Sequence, residues 1–254
     1  MSSSLHNDST FVEHSPCPAC RETGGDRAGD NLSVYSDGHG YCNACGHYQK
    51  DVTGDNNFVE EVRVMQTITP RGVSNSAIKD RRISSKITSK FGVTVGFDKA
   101  GKVEKHYYPY YDSNESNRLL GYKERTVETK EFQILGTNKG SGLFGQNANR
   151  SGGKYLTICE GELDALSVSE MFDGKWQVVS LKNGASSSAR DVKENLEYIE
   201  SFDNVVLCFD QDQAGWDAVK SCQDIISVGK LKICKLPMKD ASEMLMNGKI
   251  KEFT

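Results

Sequence analysis

Three apolar segments of this chain are each followed by an acidic residue, and this repetition constrains the fold more than any other feature. The segments are YLTIC before Glu160, VVLCF before Asp210 and LKICKLPMK before Asp240. Short runs of apolar and β-branched residues are typical of strands buried on both faces of a parallel sheet. Because functional groups gather at the carboxyl ends of such strands, we expect the three carboxylates along one edge of the sheet. Oxygen ligands of this kind favour Mg²⁺ or Mn²⁺.

The C-terminal part of the chain alternates strand patterns with helix patterns. KYLTIC, QVVSL, NVVLCF and KLKICKL predict strands, and helices are predicted over GELDALSVSEMF, SSSARDVKENLEYIESF and QAGWDAVKSCQDII. This alternation predicts the α/β class, with a parallel sheet flanked by helices. Short alternating and aromatic runs between Val93 and Phe132 predict a small antiparallel sheet before it. A basic stretch that begins at Ser74, a plausible N-cap, predicts one helix or two short ones up to Phe91.

Composition and charge exclude several classes of protein. The 254 residues, 37 % of them hydrophobic, suffice for one large or two smaller domains with a true core. The net charge of −4 excludes a uniformly basic nucleic-acid binder, although residues 71–90 hold six Lys or Arg against one Asp. No apolar run reaches membrane-spanning length, and the first ten residues lack the apolar stretch of a secretory signal. We therefore expect a cytoplasmic protein without a membrane partner.

Four of the eight cysteines form two CxxC pairs near the N-terminus. Cys17 and Cys20 make the first pair, and Cys42 and Cys45 make the second. Two such pairs predict a closed, tetrahedral site for one structural zinc ion. A redox dithiol is the alternative, but it does not account for two pairs at this spacing. Zinc binding would supply the folding free energy that so small a segment cannot obtain from apolar burial. The other four cysteines, spread through apolar segments, are expected in the core.

The residues between the two Cys pairs include aromatic and acidic side chains. Tyr35, His39 and Tyr41 can stack on bases, and Asp37 can accept a hydrogen bond from a cytosine amino group. Packing around the metal is the alternative explanation for these aromatic residues. His39 and His47 are also candidate zinc ligands, although four cysteines already complete the coordination.

The predicted catalytic edge combines two short acidic motifs. Glu160, Glu162 and Asp164 follow the first apolar strand, and Asp210 and Asp212 follow the third. Residues i and i+2 of an extended segment point to the same side, so the last two carboxylates can face one metal. Two metals about 4 Å apart stabilise the attacking and leaving oxygens of a phosphoryl transfer. Compensation of a helix dipole is the alternative role, and it suits Glu162 and Asp164.

The motifs resemble a known family. ExExD after one strand and DxDxxG after a later one form the Toprim signature of bacterial-type primases, topoisomerases and some nucleases. A four-cysteine ribbon, a linker, a basic mixed subdomain and a Toprim subdomain, in this order, resemble DnaG-type primases. SDGHGYCNAC, RGVS, LFG, VVSLKNGAS and FDQDQAG are most similar to the primase half of primase–helicases of short-tailed bacteriophages. The resemblance extends from about Phe11 to Glu252.

The resemblance implies an activity and a set of functional residues. The activity is synthesis of short RNA primers from ribonucleoside triphosphates on single-stranded DNA, beside a replicative helicase and a DNA polymerase. Glu160, Asp210 and Asp212 would be catalytic, and together with Asp240 they would bind magnesium or manganese, as two ions. The resemblance assigns nucleotide phosphates to Lys123 and Lys130, and template recognition to Asp37, His39 and Tyr48.

Four segments follow from these patterns and the resemblance. They are a zinc-ribbon domain for template recognition at 1–48, a linker at 49–62, a basic mixed subdomain at 63–150 and a Toprim catalytic subdomain at 151–254. The basic stretch 71–90, with Arg118, Lys123 and Arg125, is expected to hold the template backbone or to form a solvated helix face.

Two other functions share parts of the pattern. A Toprim nuclease would use the same carboxylates. A recombination mediator would join a zinc motif to a Toprim domain without catalysis, but its helix-hairpin-helix and shorter ribbon are not evident here. A topoisomerase needs a tyrosine nucleophile in another large domain.

The sequence contains no GxxxxGK[ST] phosphate loop, so this chain by itself is not expected to be a helicase.

Overall fold

The computed structural model describes residues 9–49, 52, 69–70, 72–115 and 117–253. The chain divides into two compact units, Met1–Ile68 and Thr69–Thr254. The predicted linker, 49–62, lies outside the described residues except for Gln49 and Val52. The finer boundaries proposed from the sequence stay predictions.

The first unit contains a four-stranded antiparallel sheet and one short helix. Its strands pair in the order β1-β2-β3-β4. Its elements are β1 (Phe11–Ser15), α1 (Pro18–Glu22), β2 (Leu32–Tyr35), β3 (Gly40–Cys42) and β4 (Tyr48–Gln49). Its buried apolar cluster consists of Leu32 and three cysteines, with Ala19 and Val52 against it. A core of this size cannot stabilise a fold by apolar burial alone.

The second unit begins with a helix and an antiparallel meander. The strands pair in the order β5-β6-β7-β8. The elements are α2 (Ser85–Phe91), β5 (Thr94–Phe97), β6 (Val103–Tyr111), β7 (Leu119–Thr126) and β8 (Phe132–Gly136). The predicted antiparallel sheet is therefore confirmed. Ser74 as the helix N-cap is wrong, because Ser74 pairs with Val95 in an isolated bridge and Ser84 occupies the N-cap.

A four-stranded parallel sheet follows, with strand order β10-β9-β11-β12. Its elements are β9 (Gly153–Cys159), α3 (Glu162–Met171), β10 (Gln177–Ser180), α4 (Ser188–Glu194), α5 (Leu196–Glu200), β11 (Phe202–Cys208), α6 (Gln213–Gln223), β12 (Leu231–Ile233) and α7 (Ala241–Met246). The predicted α/β class and its parallel sheet are confirmed. The helix predicted over residues 186–202 is broken, because Asn195 leaves the helical conformation between α4 and α5.

The central strand β9 shows why the apolar pattern was informative. Leu156 and Ile158 point into one buried cluster, and Cys159 points into the other. Since both faces of the strand are covered, every position in its second half favours an apolar or small side chain. The cluster that contains Cys159 also holds Tyr108 and Tyr110 of β6, so the two sheets of this unit share one core.

No helix among the described residues is long and apolar enough to cross a membrane.

Candidate functional site

The four predicted zinc ligands converge in the first unit. The Sγ atoms of Cys17 and Cys45 are 3.6 Å apart, and those of Cys20 and Cys42 are also 3.6 Å apart. All four sulfurs lie within 4.8 Å of one another. A tetrahedral zinc with bonds of about 2.3 Å separates its sulfurs by about 3.8 Å, so this cluster fits one zinc ion. His39 and His47 do not belong to it.

The protonation of the cluster depends on a cation. Hydrogen bonding to Cys45, followed by burial, raises the pKa of the Cys20 thiol to about 12. Four thiolates at this spacing repel one another unless a metal neutralises them. The backbone around the first knuckle is fixed independently, because the Asp26 carboxylate accepts a hydrogen bond from the Cys17 N–H at 2.6 Å.

The three predicted template-recognition residues lie next to one another in the ribbon. The His39 ring stacks on Tyr35 with centroids 4.5 Å apart and on Tyr48 with centroids 5.6 Å apart. His39 Nδ1 lies 2.5 Å from Asp37 Oδ1, which fixes the ring orientation. Tyr48 remains 59 % exposed. This arrangement presents an aromatic surface beside a carboxylate, a combination on which unpaired bases can stack.

In the second unit, a cavity of about 370 Å³ opens where the parallel sheet meets the antiparallel one. Glu160 directly follows β9, and Asp210 follows β11 after one intervening residue. The lining residues are Lys123, Phe132, Glu160, Gly161, Glu162, Asp164, Asn183, Gly184 and Asp210. The acidic edge expected from the sequence is thus part of a cavity that also contains a lysine.

The loop that carries Asp210 depends on Gly215. A Cβ atom at position 215 would lie 2.1 Å from the Asp210 carbonyl oxygen, so only glycine fits. The Asp212 side chain caps helix α6 by accepting a hydrogen bond from the Gly215 N–H at 3.0 Å. The DxDxxG motif therefore encodes the shape of this loop as well as its charge.

Burial and neighbouring charges shift the pKa values of two pocket carboxylates. Burial, followed by the charge of Asp210, raises the pKa of Glu160. Burial, followed by the charge of Asp240, raises the pKa of Asp210, although Lys239 opposes this with its Nζ 3.3 Å from Asp210 Oδ2. The Asp210 N–H donates to Glu160 Oε2 at 3.4 Å, which holds the two strand ends together.

Asp164 is the most strongly shifted acid of the pocket. The residue is half-buried. Burial, followed by the charges of Asp240 and Asp210, raises the pKa of this carboxyl to about 8. Its Oδ1 accepts a hydrogen bond from the Ser242 N–H at 3.0 Å. The pocket therefore concentrates negative charge without enough cations to balance it, which favours binding of a divalent ion.

Asp240 does not follow a strand directly, contrary to the sequence expectation. Strand β12 ends at Ile233, and Asp240 caps helix α7 by accepting a hydrogen bond from the Glu243 N–H at 2.7 Å. The arrangement of strand followed by acid therefore holds for two strands. Asp240 and Asp212 do not line the cavity, although both add to the negative potential at Asp210.

The two predicted phosphate-binding lysines have different surroundings. Lys123 Nζ is 2.8 Å from Glu162 Oε1 and donates to the Lys182 carbonyl at 3.0 Å. The Phe132 ring centroid lies 4.7 Å from the same Nζ. Lys130 is exposed in the turn after β7, with a φ of 60°, and does not line the cavity.

The structure gives Glu162 a role that its helix-dipole interpretation did not include. It is 4 % exposed and accepts hydrogen bonds from Lys123 and from the Tyr110 hydroxyl at 2.6 Å. Asn183 and Gly184, which also line the cavity, belong to a loop fixed by buried Asp191. The segment VVSLKNGAS was the only sequence signal for this loop.

The donor set of the pocket suits magnesium or manganese, because all of its acidic ligands are carboxylate oxygens. It is less compact than the zinc site. Within the described residues, the four cysteines are the one group of three or more His, Cys, Asp or Glu whose ligand atoms approach within 4.8 Å.

Several known proteins are similar to this chain. A family model described as Toprim-like matches residues 157–245. The DNA helicase/primase of Enterobacteria phage T3 is 32 % identical over 263 residues, covering 96 % of this chain and 43 % of the relative. The crystal structure of the primase fragment of the bacteriophage T7 primase-helicase protein is 31 % identical, with a TM-score of 0.64, and the match covers 96 % of this chain and 98 % of that one.

The chain belongs to the Toprim primase family of bacteriophages. A second T7 structure contains lagging-strand DNA polymerase interacting with primase domains of two gp4 subunits bound to an RNA/DNA hybrid and dTTP. That match is 34 % identical with a TM-score of 0.64, and it covers 71 % of this chain and 89 % of the other. The chain spans less than half of the T3 relative, so the activity of a whole family member is transferred to it only as a proposal.

Proposed function

We propose that this chain is a DNA primase, which joins ribonucleoside triphosphates into short RNA primers on single-stranded DNA. The observation that carries the proposal is the cavity in which Lys123 faces Glu160 and Asp210 at the carboxyl edge of the parallel sheet. A cation beside a cluster of carboxylates suits a nucleoside triphosphate together with divalent ions. The match to a primase fragment over almost the entire chain supports the same reaction.

The carboxylates bind the divalent cations in this proposal. Glu160, Asp210 and Asp212, with Asp240, would hold two Mg²⁺ or Mn²⁺ ions, which neutralise charge on the oxygens of the reacting phosphate. The raised pKa of Glu160, caused first by burial and then by Asp210, also makes this carboxylate a candidate to receive the proton of the attacking hydroxyl.

Lys123 binds and orients the triphosphate. Glu162 and the Lys182 carbonyl hold its ammonium group in place, so little side-chain entropy is lost when a phosphate binds. Lys130, which is exposed, would contact phosphates farther from the reacting centre.

The zinc ribbon recognises the template. One zinc ion on Cys17, Cys20, Cys42 and Cys45 would fix the strands on either side of the turn that holds Asp37 and His39, and the strand that begins at Tyr48. The stacked His39 and Tyr48 rings would contact unpaired bases, and Asp37 would accept from an exocyclic amino group.

Partners follow from the relatives. A replicative helicase, fused or separate, is supported by the T3 helicase/primase. A DNA polymerase that receives the primer is supported by the T7 complex of polymerase and primase domains.

The proposal is tested with ribonucleotides, Mg²⁺ and a set of single-stranded templates, followed by sequencing of the products. We expect template-dependent oligoribonucleotides from the wild type. Asp210→Ala and Asp212→Ala should reduce synthesis by roughly 100-fold or more, the size of effect seen when one group that stabilises transition-state charge is removed.

Asp203→Asn is the matched control, because Asp203 lies at the opposite end of the same strand, β11. It should retain activity, and all variants should retain zinc. Full synthesis in both Ala variants would exclude the acidic pocket as the catalytic centre. Cleavage of the templates without synthesis would indicate a Toprim nuclease instead.

A further inference from the structure

Arg125 is a buried cation with no counter-ion among the described residues. Its residue surface is 5 % exposed, and its Nη1 atom is buried without a hydrogen-bond partner. No ion pair within the described part of the chain includes it. The sequence analysis expects Arg125 to help hold the template backbone, and the structure buries this side chain instead of leaving it exposed. Burying an unpaired guanidinium lowers the stability of the fold, so its presence here points to an anionic ligand.

The acids near Arg125 are already engaged by other cations. Its neighbour Glu124 lies 2.5 Å from Lys105 Nζ, and Glu162 accepts from Lys123. His106 pairs with Arg125 across the strands and supplies no charge, because burial, followed by the Arg125 cation, lowers the pKa of His106 to about 4. The His106 Nε2 atom is likewise buried and unpartnered.

Arg125 shares its strand and its face with Lys123 of the pocket. The two residues are separated by one position of β7, and alternate residues of a strand point to the same side about 6.6 Å apart. This spacing is close to the length of a triphosphate chain. Two cations so placed can contact two phosphate groups of the same ligand.

Phe132 connects Arg125 with the pocket. Its backbone pairs with Arg125, and its ring, which lines the cavity, lies against the Lys123 ammonium group. The side chain is 55 % exposed on the edge strand β8, so few contacts oppose its rotation. Because cross-strand partners point to the same face of a sheet, the Phe132 ring and the Arg125 side chain are neighbours on one face.

We propose that Arg125 binds a phosphate group beside Lys123, in a subsite that the Phe132 ring covers until the ligand enters. The subsite rests on the proposed primase function for its ligand, the nucleoside triphosphate. A phosphate of the nucleic-acid backbone has the same chemistry and is the other possible source. In both cases Arg125 binds a phosphate next to the cavity, whose present lining does not include it.

The test compares full-length, zinc-loaded wild type with Arg125→Met and Arg125→Lys. Thermal unfolding and equilibrium binding are measured with Mg²⁺ and inorganic tripolyphosphate, with ribonucleoside triphosphates, and with a single-stranded oligonucleotide. Lys102→Met is the matched control, because it removes one exposed charge from the turn immediately before β6.

Arg125→Met should weaken tripolyphosphate binding by roughly 10- to 100-fold, the size expected for hydrogen bonds to charged groups. Without ligand, its midpoint of unfolding should equal or exceed that of the wild type, since a buried unpaired charge has been removed. Arg125→Lys should recover part of the binding, and Lys102→Met should resemble the wild type. If oligonucleotide binding is lost instead of tripolyphosphate binding, the phosphate belongs to the strand and the subsite still stands.

A structural role for Arg125 would give the opposite result: a lower unfolding midpoint in Arg125→Met, with unchanged affinity for all three ligands. That result overturns the inference even if the wild type makes primers. If the wild type makes no primers but its tripolyphosphate binding still requires Arg125, only the proposed primase function fails.

Discussion

The cysteine cluster and the acidic pocket are both candidate metal sites, yet they are organised in opposite ways. The four sulfurs already lie within 4.8 Å of one another, and no group of three carboxylates in the described residues is as compact. The first unit depends on its metal for a core, since its apolar cluster is small. The second unit has two large cores without any metal.

This difference indicates two uses of metal in one chain. A closed four-sulfur site has no open coordination position, and it contributes folding free energy. The acidic pocket keeps its carboxylates farther apart, and the pKa values of Asp164 and Asp210 are raised. Both shifts arise mainly from burial. We expect its ions to bind weakly until a triphosphate adds further oxygen ligands.

The largest effect should come from Cys42→Ser. Apparent zinc-binding free energies of finger peptides are about 10–16 kcal/mol, so loss of one ligand should leave the first unit without zinc and unfolded. Zinc content and the thermal unfolding of the two units, followed separately, measure this. Template-directed initiation should be lost, while some untemplated joining of nucleotides remains.

The control for this variant is Cys222→Ser, which alters a buried cysteine of α6 outside the cluster. It should keep its zinc. If Cys42→Ser still starts primers at the normal template site, the ribbon does not recognise the template. The zinc site would then have no role in template recognition.

A smaller effect is expected at Asp164. Burial raises its pKa from 3.8 to about 8 in the folded state, so the folded protein binds more protons than the unfolded chain between these values. Without divalent ions, the stability of the second unit should therefore fall as pH rises from about 4 to about 8. Asp164→Asn should flatten this slope and stabilise the metal-free protein at pH 8 by on the order of 2 kcal/mol.

Denaturant unfolding in EDTA at a series of pH values measures the slope. The asparagine oxygen can still accept from the Ser242 N–H, so the packing is preserved. If the pH dependence of the unfolding free energy is unchanged in Asp164→Asn, Asp164 is not the acid whose pKa is raised in the metal-free pocket.

The smallest effect is expected from Lys239→Met. The Lys239 ammonium group pairs with Asp210 and is 60 % exposed, so the pair contributes at most about 1 kcal/mol. Since this lysine competes with a cation for the carboxylate, its removal should lower the Mg²⁺ concentration for half-maximal activity by about two- to fivefold. A rise in that concentration would show that the lysine assists the metal or the triphosphate instead.

Parts of the molecule with strong local signals were predictable from the sequence. The runs before Glu160 and Asp210 are central strands, because residues buried on both faces leave a continuous apolar pattern. The spacing of the cysteines likewise predicted the cluster that the structure contains. In both regions, neighbours along the chain carry most of the information.

Features that depend on contacts between residues far apart in the sequence were not predictable. Glu162 contacts Lys123, 39 residues earlier in the chain, so its position in the first turn of α3 suggested only a dipole role. The burial of Arg125 was missed because strand alternation does not state which face is covered. The strand before Asp240 was predicted too long, and Leu236 and Pro237 actually lie in the connection to α7.

The fit of Gly215 against the Asp210 carbonyl has a consequence for comparing relatives. A methyl group there would overlap the backbone, so Gly215→Ala would displace the aspartate rather than act as a mild change. A homologue that keeps both aspartates still differs in this loop if position 215 carries a side chain. That single position therefore distinguishes chains that share the pocket's shape from chains that share only its acidic residues.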